Sequence, residues 1–139
     1  MKRHYIVISV LLLIFVLGCA KTGKKVLLVF SYHPEYYWVM EEAKGAEEVL
    51  KGKGITIEKF YLDTKRHTDS EWWENIADEA VKKIDEFEPG VVIVFDDNAC
   101  EHVAVKYAGK TLPFVFCGMN GDPEDYGFPA ENIAGVVER

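Results

Sequence analysis

Short apolar runs alternate along the chain with longer segments in which hydrophobic residues recur every three or four positions. The apolar runs predict strands at residues 25–31, 55–62, 91–95, 112–117 and 133–137. Helical spacing predicts helices at residues 36–51, from 69 or 70 to 87, and from 99 to about 108. Strands that alternate with helices are typical of parallel sheets with right-handed crossovers. We therefore predict an α/β three-layer sandwich whose parallel sheet has the strand order 2-1-3-4-5.

The residues before this pattern have the features of an export signal. Lys2 and Arg3 precede an apolar run at residues 6–17, and Gly18-Cys19 follows it directly. This order predicts a lipoprotein signal peptide at residues 1–18, lipid attachment at Cys19, a tether at residues 19–24 and a binding domain at residues 25–139. The alternative is an ordinary N-terminal membrane anchor with an incidental cysteine. Either way the domain is expected outside the cytoplasm, attached to the membrane.

Composition limits the possible partners. The chain has 139 residues, enough for one small domain, and a formal net charge of −7. Its 23 acidic residues outnumber 16 basic ones, which argues against nucleic-acid binding because that depends on clustered Lys and Arg. In an oxidising compartment Cys100 and Cys117 could form a disulfide or remain two buried thiols, and the sequence leaves both open.

Polar and aromatic side chains are concentrated in the loops that follow the predicted strands. In a parallel sheet, ligands bind at the carboxyl ends of the strands, close to the point where strand order reverses. Aromatic rings there could stack on a flat organic solute, polar groups could fix it, and the helix starts near Pro34 and Ala99 could accept an anion. Simple turn chemistry or helix packing is the alternative for each residue. The candidate ligand-binding residues are Ser31, Tyr32, His33, Trp38, Asp97, Asn98, Gly118 and Asn120.

Other features of the chain receive simpler interpretations. Trp72 and Trp73 are predicted to be structural, and His67 to lie in a solvated loop. On the first helix, a charged face is predicted to stay in water, comprising Glu41, Glu42, Lys44, Glu47 and Glu48.

Catalysis has weaker support in the sequence. Ser31, His33 and Asp97 are residue types of a hydrolase triad, but no nucleophile elbow, phosphate loop or dinucleotide-binding turn occurs. A metal could in principle take ligands from a set of acidic and imidazole side chains: His33, Asp96, Asp97, Glu101 and His102. Successive aspartates are expected to diverge, one serving as a helix cap and one facing the cleft. We therefore predict a protein with no catalytic residues, no metal and no cofactor.

Five segments in order resemble a known family. They are Ser31-Tyr32-His33-Pro34 with Tyr37-Trp38, residues 60–66 (FYLDTKR), Asp96-Asp97-Asn98-Ala99, residues 113–120 (PFVFCGMN) and residues 132–138 (NIAGVVE). Together they look like the ABC-transporter substrate-binding proteins that include tryptophan and tyrosine binders, and they are also similar to sensor domains of some bacterial histidine kinases.

The resemblance implies one lobe of a type I periplasmic-binding-protein fold. Ser31, Tyr32, His33, Asp97, Asn98 and Asn120 match positions from which the first lobe touches ligand. Family members have two lobes, so we expect the second to be absent from this chain. An apolar patch should then be exposed at Tyr32, Tyr37, Trp38 and Met119.

These features predict a solute-binding lipoprotein of an ABC importer. Its expected partners are a small organic solute, amino-acid-like or aromatic, a membrane permease, and the membrane itself through the lipid. The alternative is an extracytoplasmic sensing or partner-binding module that signals without transport.

Overall fold

The computed structural model describes residues 24–138. Its strands are β1 (Lys24–Phe30), β2 (Ile55–Tyr61), β3 (Val91–Phe95), β4 (Phe114–Met119) and β5 (Ile133–Val137). Its α-helices are α1 (Tyr37–Leu50), α2 (Ser70–Phe87) and α3 (Asp96–His102), with 3-10 turns at Ala104–Tyr107 and Pro123–Tyr126. The predicted signal peptide, Cys19 and the tether up to residue 23 lie outside the described residues.

All five strands are parallel and follow the order β2-β1-β3-β4-β5, which confirms the predicted fold class and strand order. The interior strand β1 is buried on both sides. Leu27 and Val29 pack in the core beneath α2 and α3, whereas Leu28 and Phe30 pack in the core beneath α1. Two separate hydrophobic cores on one sheet give the three layers.

The helix after β3 begins earlier than predicted. The sequence suggested a start at Ala99, but α3 begins at Asp96, whose φ of 62° lies in the left-handed region. This conformation is uncommon for a residue with a side chain, so hydrophobic spacing gave no sign of it. The helix also ends at His102, and the segment up to Tyr107 is a 3-10 turn instead of further α-helix.

The fourth strand is displaced toward its carboxyl end relative to the prediction. Pro113 has no N–H to give, and its carbonyl accepts from the Val92 N–H at 3.1 Å, so the ladder starts at Phe114. Pairing with β5 shifts register between Phe116 and Met119. The shift turns Met119 into the core, where it is fully buried. The prediction that Met119 belongs to an exposed apolar patch is therefore wrong.

Two smaller predictions about α2 are confirmed. The Asp69 side chain caps α2 by accepting from the Trp72 N–H at 2.8 Å. The indole N–H groups of Trp72 and Trp73 donate to the carbonyls of Leu62 and His67, so both tryptophans are structural. Of the two alternatives left open for Cys100 and Cys117, the structure has free thiols, with Cys100 buried and Cys117 half-buried. Burial raises the pKa of the Cys100 thiol. Within residues 24–138, no helix combines the length and apolarity that a membrane span requires.

His67 lies in the loop before α2, as predicted, and its side chain is 43% exposed. Its ring stacks on the indole of Trp72 with the two centroids 3.8 Å apart, so it is a half-buried partner of α2.

Candidate functional site

Ser31 joins the carboxyl ends of three strands. Its hydroxyl donates to the Phe95 carbonyl at 2.6 Å and accepts from the Ala99 N–H at 2.8 Å. The Thr64 hydroxyl donates to the Ser31 carbonyl at 2.8 Å. Ser31 is fully buried, so these contacts give it a structural role in positioning the loops after β1, β2 and β3. A ligand contact at Ser31 stays a prediction.

Asp97 organises the loop after β4. Its carboxylate accepts from the backbone N–H groups of Asn120 at 3.2 Å and Gly121 at 2.9 Å, and from the Asn120 amide at 3.3 Å. The Tyr126 hydroxyl adds a longer contact of 3.4 Å. Two of the predicted ligand-binding residues, Asp97 and Asn120, therefore form one unit at the strand edge.

Aromatic rings and a lysine lie on the β1–α1 loop. Tyr32 and Tyr36 meet edge to face, with ring centroids 5.4 Å apart. The Lys65 ammonium lies 4.3 Å from the centroid of Tyr32 and 4.8 Å from that of Tyr36. Such cation–π contacts show that these ring faces accept a positively charged group. Neither Tyr36 nor Lys65 was among the predicted site residues.

His33 lies close to Asp63 and makes no hydrogen bond to the Ser31 hydroxyl. Its Nδ1 lies 3.5 Å from Asp63 Oδ1, on the loop after β2. The arginine Arg66 donates to the same carboxylate and holds the pKa of Asp63 below its usual range. Because Ser31 bonds Phe95 and Ala99, and Asp97 bonds the β4 loop, the three residues do not form the relay that a hydrolase triad needs.

Trp38, Glu42 and Asp96 form a second cluster between α1 and the sheet edge. The Trp38 indole N–H donates to Asp96 Oδ1 at 3.2 Å. Glu42 lies one helical turn after Trp38, and both of its carboxyl oxygens are buried. The prediction that Glu42 stays in water is wrong, because its position on α1 directs it over the end of β4.

Gly118 makes room for this carboxylate. Its φ is +72°, and a Cβ built there would lie 2.9 Å from Glu42 Oε1 and 3.5 Å from Asp96 Oδ1. A side chain at this position would meet both strain and a close contact. The predicted site residue Gly118 is thus next to the carboxylates.

The carboxyl groups of Glu42 and Asp96 both have raised pKa values. Burial, with repulsion from Asp96 as the second cause, raises the pKa of Glu42 to about 8 against the lowering effect of the Trp38 indole. Burial also raises the pKa of Asp96 to about 7, with help from Asp97 and Glu138 and against the effects of Trp38 and Lys65. One signal of this cluster is present in the sequence, namely the four-residue spacing of Trp38 and Glu42.

The remaining predicted residues lie around these groups. Asn98 is half-buried in the first turn of α3, and Tyr37 is 71% exposed while Trp38 is 39% exposed. Of the predicted apolar patch, Tyr37 and Trp38 are therefore at the surface and Met119 is not. Among residues 24–138, no three His, Cys, Asp or Glu side chains gather as a metal site.

Surface depressions are shallow at this edge. A cavity of about 250 Å³ lies beside Asn120, Gly121 and Glu138. A groove of about 650 Å³ lies along β5 and contains none of the predicted site residues. The candidate site is consequently an open face at the strand ends.

Comparison with solved structures supports the fold. The chain is similar to the crystal structure of an ABC domain in complex with L-Trp from Streptococcus pneumoniae, with a TM-score of 0.58 and 17% identity. The match covers 84% of this chain and 39% of that chain, so this chain spans well under half the length of its structural neighbour. Neither the scan of protein-family models nor the search of curated proteins gave a match. The likeness shows a periplasmic-binding-like lobe.

Proposed function

We propose that this chain supplies one ligand-binding face of an extracytoplasmic solute-binding protein. The observation that carries the proposal is the meeting of Tyr32, Trp38, Asp96 and the Asp97–Asn120 unit at the carboxyl edge of β1, β3 and β4. In parallel sheets, ligands bind at this edge, because the loops diverge where the strand order reverses.

The chemistry of the face suits a small organic solute. Tyr32, Tyr36 and Trp38 supply aromatic surface, and carboxylates and an amide supply directional hydrogen bonds. The neighbouring structure contains L-Trp, which supports an amino-acid-like or aromatic solute for this chain as well. An open face leaves most of a small ligand in water, so tight binding would require a second wall.

The transport role of the proposal comes from the sequence. The Gly18-Cys19 junction after the apolar run supports a lipid-anchored protein, and the family resemblance supports delivery of the solute to an ABC permease. A lipidated binder would be held beside its permease at the membrane.

Native mass spectrometry tests the solute-binding function. When a small-molecule extract of the host cell is kept at millimolar concentration through gentle detergent purification, we expect one component to stay with the full chain and to be absent from the Asp97→Ala variant. Asp85→Ala, which removes an exposed carboxylate on α2, is the matched control and should keep the molecule. Absence of any retained molecule, together with no response to L-tryptophan in calorimetry, would contradict the proposed function.

A further inference from the structure

Two carboxylates from different elements lie beside Gly118. Glu42 comes from α1 and Asp96 from the β3–α3 junction, and both lie near the position that a Cβ on Gly118 would occupy. Asp96 is only 2% exposed. The pair is therefore fixed at the carboxyl ends of the strands, with Asp96 buried in the fold.

Three oxygens of this pair have no hydrogen-bond donor among the described residues. They are Glu42 Oε1, Glu42 Oε2 and Asp96 Oδ2, and each is buried. The remaining oxygen, Asp96 Oδ1, accepts from the Trp38 indole. Buried carboxylate oxygens without donors are costly and are normally paired. The pair thus presents three acceptors and requires donors or positive charge.

The charges around the pair are mostly negative. Asp97 and Glu138 raise the pKa of Asp96, and the positive charge of Lys65 lowers it. The Lys65 ammonium rests on the Tyr32 and Tyr36 rings. An incoming anion would meet repulsion here, and the first turn of α3 already carries Asp96 and Asp97. Binding of an anion at the start of α3, which the sequence suggested, is therefore unfavourable.

We propose that Glu42 and Asp96 bind the ammonium group of an amine-bearing solute, with Trp38 beside it as an apolar wall. A primary ammonium has three N–H donors, which equals the number of free oxygens in the pair. Charge-assisted hydrogen bonds of this kind are the strong ones. The inference rests on the proposed solute-binding function and names the chemical class of the solute.

Protonation supports the same inference. The pair is partly protonated near neutral pH because the pKa values of Glu42 and Asp96 are raised. An ammonium favours the ionised form of both groups, so its binding should release protons. Calorimetry in two buffers of different ionisation enthalpy would show this release.

Matched probes test the amine requirement. The full chain is titrated with tryptamine, L-tryptophan and indole-3-propionate, and with n-hexylamine against n-hexanol, while backbone amide NMR shifts are followed into the millimolar range. We expect the amines to shift resonances of residues around Glu42, Asp96 and Gly118, and indole-3-propionate and n-hexanol not to. Equal binding by the amine-free probes, or no response to any amine, would overturn the inference.

Charge-removing variants test the two residues. Glu42→Gln and Asp96→Asn should each lower tryptamine affinity about tenfold or more, because each replaces a charge-assisted bond. Glu41→Gln, an exposed neighbour on the same helix, should leave the affinity unchanged. Since both site variants remove a buried charge, they should fold at least as stably as the parent chain. Unchanged affinity in both would contradict the assignment.

The chemical identity of the bound solute shows whether the amine assignment and the proposed solute-binding function stand or fall separately. If native mass spectrometry finds a solute without a basic nitrogen, solute binding stands and the amine assignment is wrong. If the solute contains an amine and is lost from Glu42→Gln but kept by Glu41→Gln, both are supported. Absence of any bound solute combined with no amine response would overturn both.

Discussion

The Ser31 hydroxyl accepts a hydrogen bond from the backbone N–H of Ala99 at 2.8 Å, although the two residues are 68 positions apart in the chain. A helix usually takes its cap from the residue that precedes it, but Phe95 has no side-chain acceptor, and α3 instead takes an acceptor from Ser31, directly after β1. This link fixes the start of α3 relative to β1. The position of Asp96 and Asp97 at the strand edge depends on it.

Replacing Ser31 with alanine should destabilise the fold. The Ala99 N–H and the Phe95 carbonyl would lose their partner in a buried place, at a cost of about 1 to 3 kcal/mol in the free energy of unfolding. Urea denaturation measures the loss. Ser70→Ala, at an exposed position capped instead by Asp69, is the control and should change stability little. Equal effects of the two substitutions would argue against the link.

Asp97 and Asn120 should act as one unit in binding. Asp97→Ala or Asn120→Ala should each lower the affinity for the retained solute by about 1 to 3 kcal/mol, because a polar partner is lost. Since the two side chains are in contact, the double variant should lose less than the sum of the single variants. Calorimetry on all three variants measures the coupling, and strict additivity would show that the two residues act independently.

The sequence predicted the fold well because periodicity reports burial. β1 reads as a continuous apolar run since both faces are covered, and Asp69 is a local cap that depends only on its own helix.

Glu42 was missed because helical spacing shows which face packs on a sheet but not where the sheet edge passes beneath it. The burial of Met119 was missed because strict alternation after Phe116 would turn Gly118 toward the core. The register shift turns Met119 there instead. Asp96 required tertiary contacts, from Trp38 among others, that no local pattern encodes.

Lipid attachment at Cys19 is a prediction from sequence alone. Cys19→Ser should abolish labelling with a clickable fatty acid and leave the precursor uncleaved, because the signal peptidase site needs the modified cysteine. Cys117→Ser changes a half-buried thiol elsewhere and should keep the label. Undiminished labelling of Cys19→Ser would end the lipoprotein interpretation.

Gly118 should be restricted by contact as well as by conformation. Gly118→Ala places a Cβ 2.9 Å from Glu42 Oε1 at a φ of +72°, whereas Gly52→Ala has a φ of +74° with nothing within 4 Å. The two variants share the cost of about 1 kcal/mol for a positive φ. We expect Gly118→Ala to lose a further 1 kcal/mol or so through displacement of Glu42. Thermal unfolding of the pair isolates this difference, and equal losses would show that Glu42 moves aside freely.

The raised pKa values of Glu42 and Asp96 predict how stability depends on pH. Both groups bind protons more tightly in the folded chain than in the unfolded chain, where carboxyl groups titrate near pH 4. Their contribution is therefore fully present below about pH 4 and is lost as the pH rises through about 7 for Asp96 and about 8 for Glu42.

Glu42→Gln and Asp96→Asn should each make the unfolding free energy depend less steeply on pH. Asp97 and Glu138 face the pair with like charge, and Lys65 faces Asp96 with opposite charge, so these groups must stay unchanged in the comparison. Between pH 5 and pH 9, Glu42→Gln and Asp96→Asn should each remove on the order of 1 to 2 kcal/mol of the decline in unfolding free energy, a value reduced for partial solvent screening. Urea denaturation across the range measures it, with Glu41→Gln as the exposed control. A decline as steep in both site variants as in the parent chain would show that these carboxyl groups titrate normally, and would remove the electrostatic support for an ammonium site.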